Sequence, residues 1–133
     1  MHRWLIAFAF TQLVEVPVYA RALERQRIAN SLPTTVAIAF GASLLTHPVV
    51  WFVIPSWWTR LYLSVIDRAP QMTLTSPMAR YVAMAVVAET FAVLVEAAYF
   101  RAWGVRRALA WSLAANALSL TLGLVSRALF GLP

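Results

Sequence analysis

RYVAMAVVAETFAVLVEAAYFR, residues Arg80 to Arg101, decides the fold. Twenty residues separate the two arginines. That is enough α-helix to cross the hydrocarbon core of a bilayer, which is about 30 Å thick. Two of the twenty are acids, Glu89 and Glu96, seven residues apart and so on one helix face at a spacing of two turns. Ala85, Ala88, Ala92 and Tyr99 lie on or beside that face, while Val, Leu, Phe and Met cover the rest. An ionised carboxylate facing acyl chains is costly, so the stripe must turn toward protein or water. The rest of the chain has to supply the helices that cover it.

Composition points the same way. The chain is 62% hydrophobic and 12% charged, about half the charge a soluble domain carries. It reads as all-α, a four-helix transmembrane bundle, one integral membrane domain over residues 1–133. Spans are predicted at 4–20, 34–54, 81–100 and 108–126. The net charge is +6, but every basic residue is arginine and most flank apolar runs. This is how a membrane protein places charge, so the expected partner is the lipid bilayer and not nucleic acid. With no cysteine there are no disulfides and no thiolate metal centres. With no lysine there is no retinal Schiff base. The N-terminal apolar run carries Gln12 and Glu15 and lacks a small-x-small cleavage site, so it reads as a retained first span.

Each remaining span carries its own polar face. In span one, Thr11, Glu15 and Tyr19 recur every four residues, and Pro17 should bend the helix. Asn30 or Ser31 is placed to cap span two, with Pro33 in its first turn. Within span two, Ser43, His47 and Trp51 share a face, with Thr46 nearby and Pro48 poised to kink the helix. Trp51, Trp57 and Trp58 mark an interface. The stretch from Pro55 to Pro77 reads as the longest connection, its first part a short helix lying in the interface and its last part an irregular loop. In span four, Ser112, Asn116, Ser119, Gly123 and Ser126 form a stripe suited to helix packing. The two short connectors hold Arg21, Arg25, Arg27, Arg101, Arg106 and Arg107 and are denser in arginine than the other side. This places them in the cytoplasm and the termini on the non-cytoplasmic face of a multi-pass inner-membrane protein.

Aligning the spans by depth gives two layers: Glu15 with Glu96, then Glu89 with His47 and Asn116. Tyr19, Tyr99 and Ser119 stand beside them, the two tyrosines as interface anchors. Three of the five acids lie inside spans, and each is costly there unless paired. The chemistry this suits is a proton or cation site, with His47 as relay. No cofactor is expected. A bound cation would be held by His47, Glu89 and Glu96, with Glu15 in reach. The alternative is that these groups only hydrogen-bond helix to helix. H-E-x-x-H, paired E-x-x-H and nucleophile-elbow motifs are all absent, which leaves little support for a membrane enzyme.

Two resemblances rest on these residues. The pattern Glu15-x-Pro17, Thr46-His47-Pro48, Glu89 with Glu96 and Tyr99, and Asn116 with Ser119 and Gly123 resembles a group of small uncharacterised bacterial four-span integral membrane proteins, over nearly the whole chain. In architecture alone the chain is similar to small multidrug resistance transporters, which exchange cationic substrates for protons as antiparallel dimers. That resemblance implies Glu15 as the coupling acid; Glu89 and Glu96 in span three and the long second connection depart from it. The expected function is therefore proton- or cation-coupled transport or conduction by a homo-oligomer. The alternative is a non-catalytic subunit or assembly factor bound to a membrane-protein partner.

Overall fold

The computed structural model describes residues 2–68 and 76–131, without the side chains of His2, Ile66 and Asp67. The described residues form α1 (His2–Arg25), α2 (Leu32–Pro48), a π-helical segment (Val49–Val53), α3 (Ile54–Arg68), α4 (Pro77–Ala102) and α5 (Ala108–Phe130), with no strand among them. α1, the run beginning with α2, α4 and α5 are each long and apolar enough to cross a membrane. Leu13, Leu44, Leu45, Val86, Leu94, Leu113 and Leu124 are exposed on the outside of the bundle. In water such a surface would be an aggregation liability; in a bilayer it is ordinary solvation.

The helices close a ring. α1 packs on α2 and α5, and α4 packs on α5 and α2. The two short connectors end their helices in the same way. Ile28 N–H bonds Leu23 O and Arg27 N–H bonds Glu24 O at the end of α1; Val105 N–H bonds Phe100 O and Gly104 N–H bonds Arg101 O at the end of α4. Each is a Schellman motif, with Arg27 (φ 54°) and Gly104 (φ 84°) in the left-handed position. The motif's apolar contact is present at both ends, since Leu23, Ile28, Phe100 and Val105 all join one core with Tyr19, Ile38 and Ala108. Gln26 ties the connectors together: its Oε1 accepts from Arg106 N–H at 2.6 Å and its Nε2 donates to Arg106 O at 3.3 Å. The connector end of the bundle is therefore apolar and closed.

Some boundaries differ from expectation. α1 runs on to Arg25, because alanine, arginine and glutamate are good helix formers and do not end a helix where the oil ends. The connection after span two is mostly helix. α3 follows the π segment without a break, so the expected short helix is continuous with span two. Pro48 stands where α2 gives way to the π turn, and Ile54 N–H reaches back five residues to Val49 O. A proline at this point removes one α-type donor, and a widened turn accommodates it. The loop predicted after α3 lies outside the described residues, apart from Ser76, whose hydroxyl caps α4 ahead of Pro77. Ser31 caps α2 in the same manner.

Candidate functional site

Glu96 is the best-bonded acid. It is 1% exposed. Its Oε2 accepts from the Tyr19 hydroxyl and from Asn116 Nδ2 at 2.7 Å, and its Oε1 accepts from Thr46 Oγ1 at 2.8 Å. These partners come from α1, α5 and α2, so a single carboxyl of α4 ties all four spans together. The helices hold the donors in place. Asn116 Nδ2 also bonds Ser112 O one turn back, and Ser112 Oγ bonds Val93 O of α4. The Tyr19 ring packs against Phe100 with centroids 4.3 Å apart.

Glu15 repeats the arrangement from α1. It is 2% exposed. Ser43 of α2 donates to its Oε2 at 2.6 Å, and Ser119 of α5 donates to its Oε1 at 2.7 Å. Glu15 and Glu96 line one interior cavity of about 100 Å³ together with Glu89, His47, Asn116 and Ser119. That is room for a few water molecules. No arginine lines it.

Glu89 differs from the other two. It is half-buried and, among the described residues, neither gives nor receives a hydrogen bond. His47 shares its cavity without bonding it. The imidazole sits among the rings of Phe8 (5.0 Å), Trp51 (5.9 Å) and Trp4 (6.0 Å), and its Nδ1 is buried without a partner. Beyond Glu89 and His47 a second cavity of about 200 Å³ continues toward the end that carries the termini, past Ala7, Phe10 and Gly123 to Arg127. The polar interior thus opens toward the terminal end, while the apolar core of Tyr19, Leu23, Phe100 and Val105 stands between it and the connectors.

The structure brings Glu15, His47, Glu89, Glu96, Asn116 and Ser119 to one cavity, but their pairing differs from expectation. Asn116 bonds Glu96, not Glu89. Tyr19 is no interface anchor: it is fully buried and its hydroxyl belongs to Glu96. Tyr99 is half-buried, packed edge-on to Phe100, with its hydroxyl where only a glycine at position 41 leaves space. The stripe on α5 is more than packing, since Asn116 and Ser119 are ligands to the acids. Ser43 and Thr46 also donate to the carboxyls and were not expected to; the available signal was Ser43 standing three residues before Thr46 and four before His47, on one side of the helix. No group of three or more His, Asp or Glu side chains is placed to hold a metal ion among the described residues.

Fold and site together define a class: a polytopic bundle of four span-length helices, closed at one end, whose interior is a network of hydroxyl-bonded carboxyls. No family model matches the chain, and no curated protein or solved structure is significantly similar to it.

Proposed function

We propose that the protein carries protons, or a small cation in their place, through the carboxyl-lined interior. One observation supports this above others: Glu15, Glu89 and Glu96 open on a single cavity that no arginine lines. An ionised carboxyl in low dielectric is costly without a compensating charge. The compensating species on this reading is mobile, a proton or cation arriving from the terminal end. Glu89, free of hydrogen bonds, is the first acceptor, and Glu96 and Glu15 lie deeper. Movement to the connector side requires the Tyr19–Phe100 contact to part. The reading includes a place in the inner membrane with the connectors cytoplasmic, assembly as an oligomer, and kinship with the small four-span bacterial proteins.

The test is flux in proteoliposomes under an imposed pH gradient, followed with an enclosed pH dye. Glu89→Gln and the double variant Glu89→Gln/Glu96→Gln keep size and polarity but remove the exchangeable proton. Flux should fall by about a hundredfold or more, the lower end of what a positioned proton-transfer group contributes. Unchanged flux in the double variant rejects the reading. The complete bonding of Glu96 favours a second one: an acid that accepts from three other helices also serves as a structural node in a subunit or assembly factor. Co-purification of one partner at fixed stoichiometry, with no flux, would select it.

A further inference from the structure

We infer that a groove beside Glu89 binds an amphiphile dissolved in the bilayer, through a hydroxyl head that donates to the Glu89 carboxyl. The groove has a volume of about 300 Å³ and lies between the π segment and α4, with Val50, Trp51, Tyr81, Met84 and Ala88 along it. Among the described residues Glu89 is its one charged lining residue. The volume is at the lower end of the range for small-ligand sites, about 300–1,000 Å³. Trp51 and Tyr81 are exposed, 38% and 52%, so the groove reaches the outside of the bundle. Glu89 lies midway along α4, a depth at which the surrounding medium is acyl chain and not water.

The head group follows from how the bundle treats its other acids. Glu15 and Glu96 are filled by the hydroxyls of Ser43, Ser119, Thr46 and Tyr19 and by one amide, and by no cation. Of the three acids inside the spans, Glu89 alone has its acceptors unfilled, and it is the one that faces the apolar groove. A carboxyl oxygen in that setting gains from any donor that arrives with its own apolar cover. A single-chain alcohol meets both needs: the chain occupies the groove and the hydroxyl meets Glu89. A phosphate or fatty-acid head would set like charge against Glu89. This inference goes beyond the proton reading and is measured without any gradient, so either can fail alone.

The chain has no cysteine, so Ala85→Cys places a single thiol in the groove. Its alkylation by N-ethylmaleimide would be timed in nanodiscs with 1-decanol, decyl methyl ether or decyltrimethylammonium present. Decanol should slow alkylation about tenfold more than the ether, which has no proton to donate. Glu89→Leu should erase the difference between them, whereas Glu89→Gln, which keeps a carbonyl acceptor, should retain part of it. Ala110→Cys, on the exposed side of α5, should react at one rate throughout. Equal protection by alcohol and ether overturns the proposal. So does decanol protection that survives Glu89→Leu, or stronger protection by the ammonium, which would make charge and not donation the recognised property.

Discussion

Ser43 Oγ on α2 donates to Glu15 Oε2 on α1 at 2.6 Å, two buried side chains 28 residues apart in the chain. The bond joins the first two spans at the same point where Ser119 joins the fourth. Ser43→Ala would leave one lone-pair direction of a buried carboxyl empty. Such a loss costs about 1–3 kcal/mol, and bonds between membrane helices fall toward the lower end of that range. Ser43→Ala should therefore lower unfolding stability in detergent by about 1 kcal/mol, and Ser43→Ala/Ser119→Ala by about 2 kcal/mol or more. Ser126→Ala, from the same α5 stripe but without a hydrogen bond among the described residues, should stay within about 0.5 kcal/mol. Equal losses at Ser119 and Ser126 would mean that the stripe only packs.

Tyr19→Phe separates ring from hydroxyl. The ring contact with Phe100 is kept, and only the donor to Glu96 is lost. The expected cost is about 1–2 kcal/mol. Tyr19→Leu loses the aromatic pair as well and should cost about 1 kcal/mol more. Thermal unfolding of the three proteins side by side checks the order. A Tyr19→Phe protein as stable as the wild type would show that the hydroxyl contributes nothing to the bundle.

Glu96→Leu and Glu89→Leu make the same chemical change in one helix, yet they should behave oppositely. Glu96→Leu takes from the Tyr19, Thr46 and Asn116 donors the acceptor they share, leaving Thr46 and Asn116 mainly backbone carbonyls of their own helices, at a cost of about 3 kcal/mol. Glu89→Leu removes an acid that has no bond to lose and should be neutral within about 1 kcal/mol, or stabilising. Chemical denaturation in mixed micelles compares them directly. Similar destabilisation by both would mean that Glu89 has a structural partner after all.

How far the sequence reached is visible at Asn116. Four spans, a cap for the second at Asn30 or Ser31, and the inward turn of the acids were all legible, because apolar length and the cost of burying charge leave few alternatives; the cap at Ser76 was not, since it fell in what read as an irregular loop. The pairing within the interior was not. Counting from the middle of each span put Asn116 beside Glu89. Counting from the shared connector puts Asn116 eight residues past Ala108 and Glu96 six before Ala102, whereas Glu89 lies thirteen before it. At about 1.5 Å per residue, the second count selects Glu96. Tyr19, six residues before Arg25, belongs to the same layer and was misread because a tyrosine near a span end is usually an anchor. Ser43 and Thr46 were passed over because a small hydroxyl in a membrane helix commonly bonds its own backbone, and only the facing acid distinguishes the two uses. The π segment had no clear signal beyond Pro48, since its residues, VVWFV, are ordinary for a buried or lipid-facing helix.

Access to the interior should be one-sided. The cavity beyond Glu89 runs past Ala7 and Gly123 toward Arg127, whereas the connector end is filled by Tyr19, Leu23, Phe100 and Val105 and tied across by Gln26 and Arg106. Gly123→Cys tests this in the cysteine-free chain. Among the described residues a side chain there meets only Phe10, at 3.9 Å, so the thiol fits without displacing any of them. A charged, membrane-impermeant thiosulfonate should modify it when added on the face that carries the termini. From the connector face the reaction should be slower by at least about a hundredfold, because a permanent charge does not cross an apolar plug without a penalty of several kcal/mol. The plug itself supplies the counter-test. Phe100→Ala opens space against Tyr19 at the centre of the closed end, and it should raise the connector-face rate toward that of the other face. If Gly123→Cys reacts equally fast from both sides in the otherwise unaltered protein, the closed end is no barrier, and the order in which the three acids meet an incoming proton is lost with it.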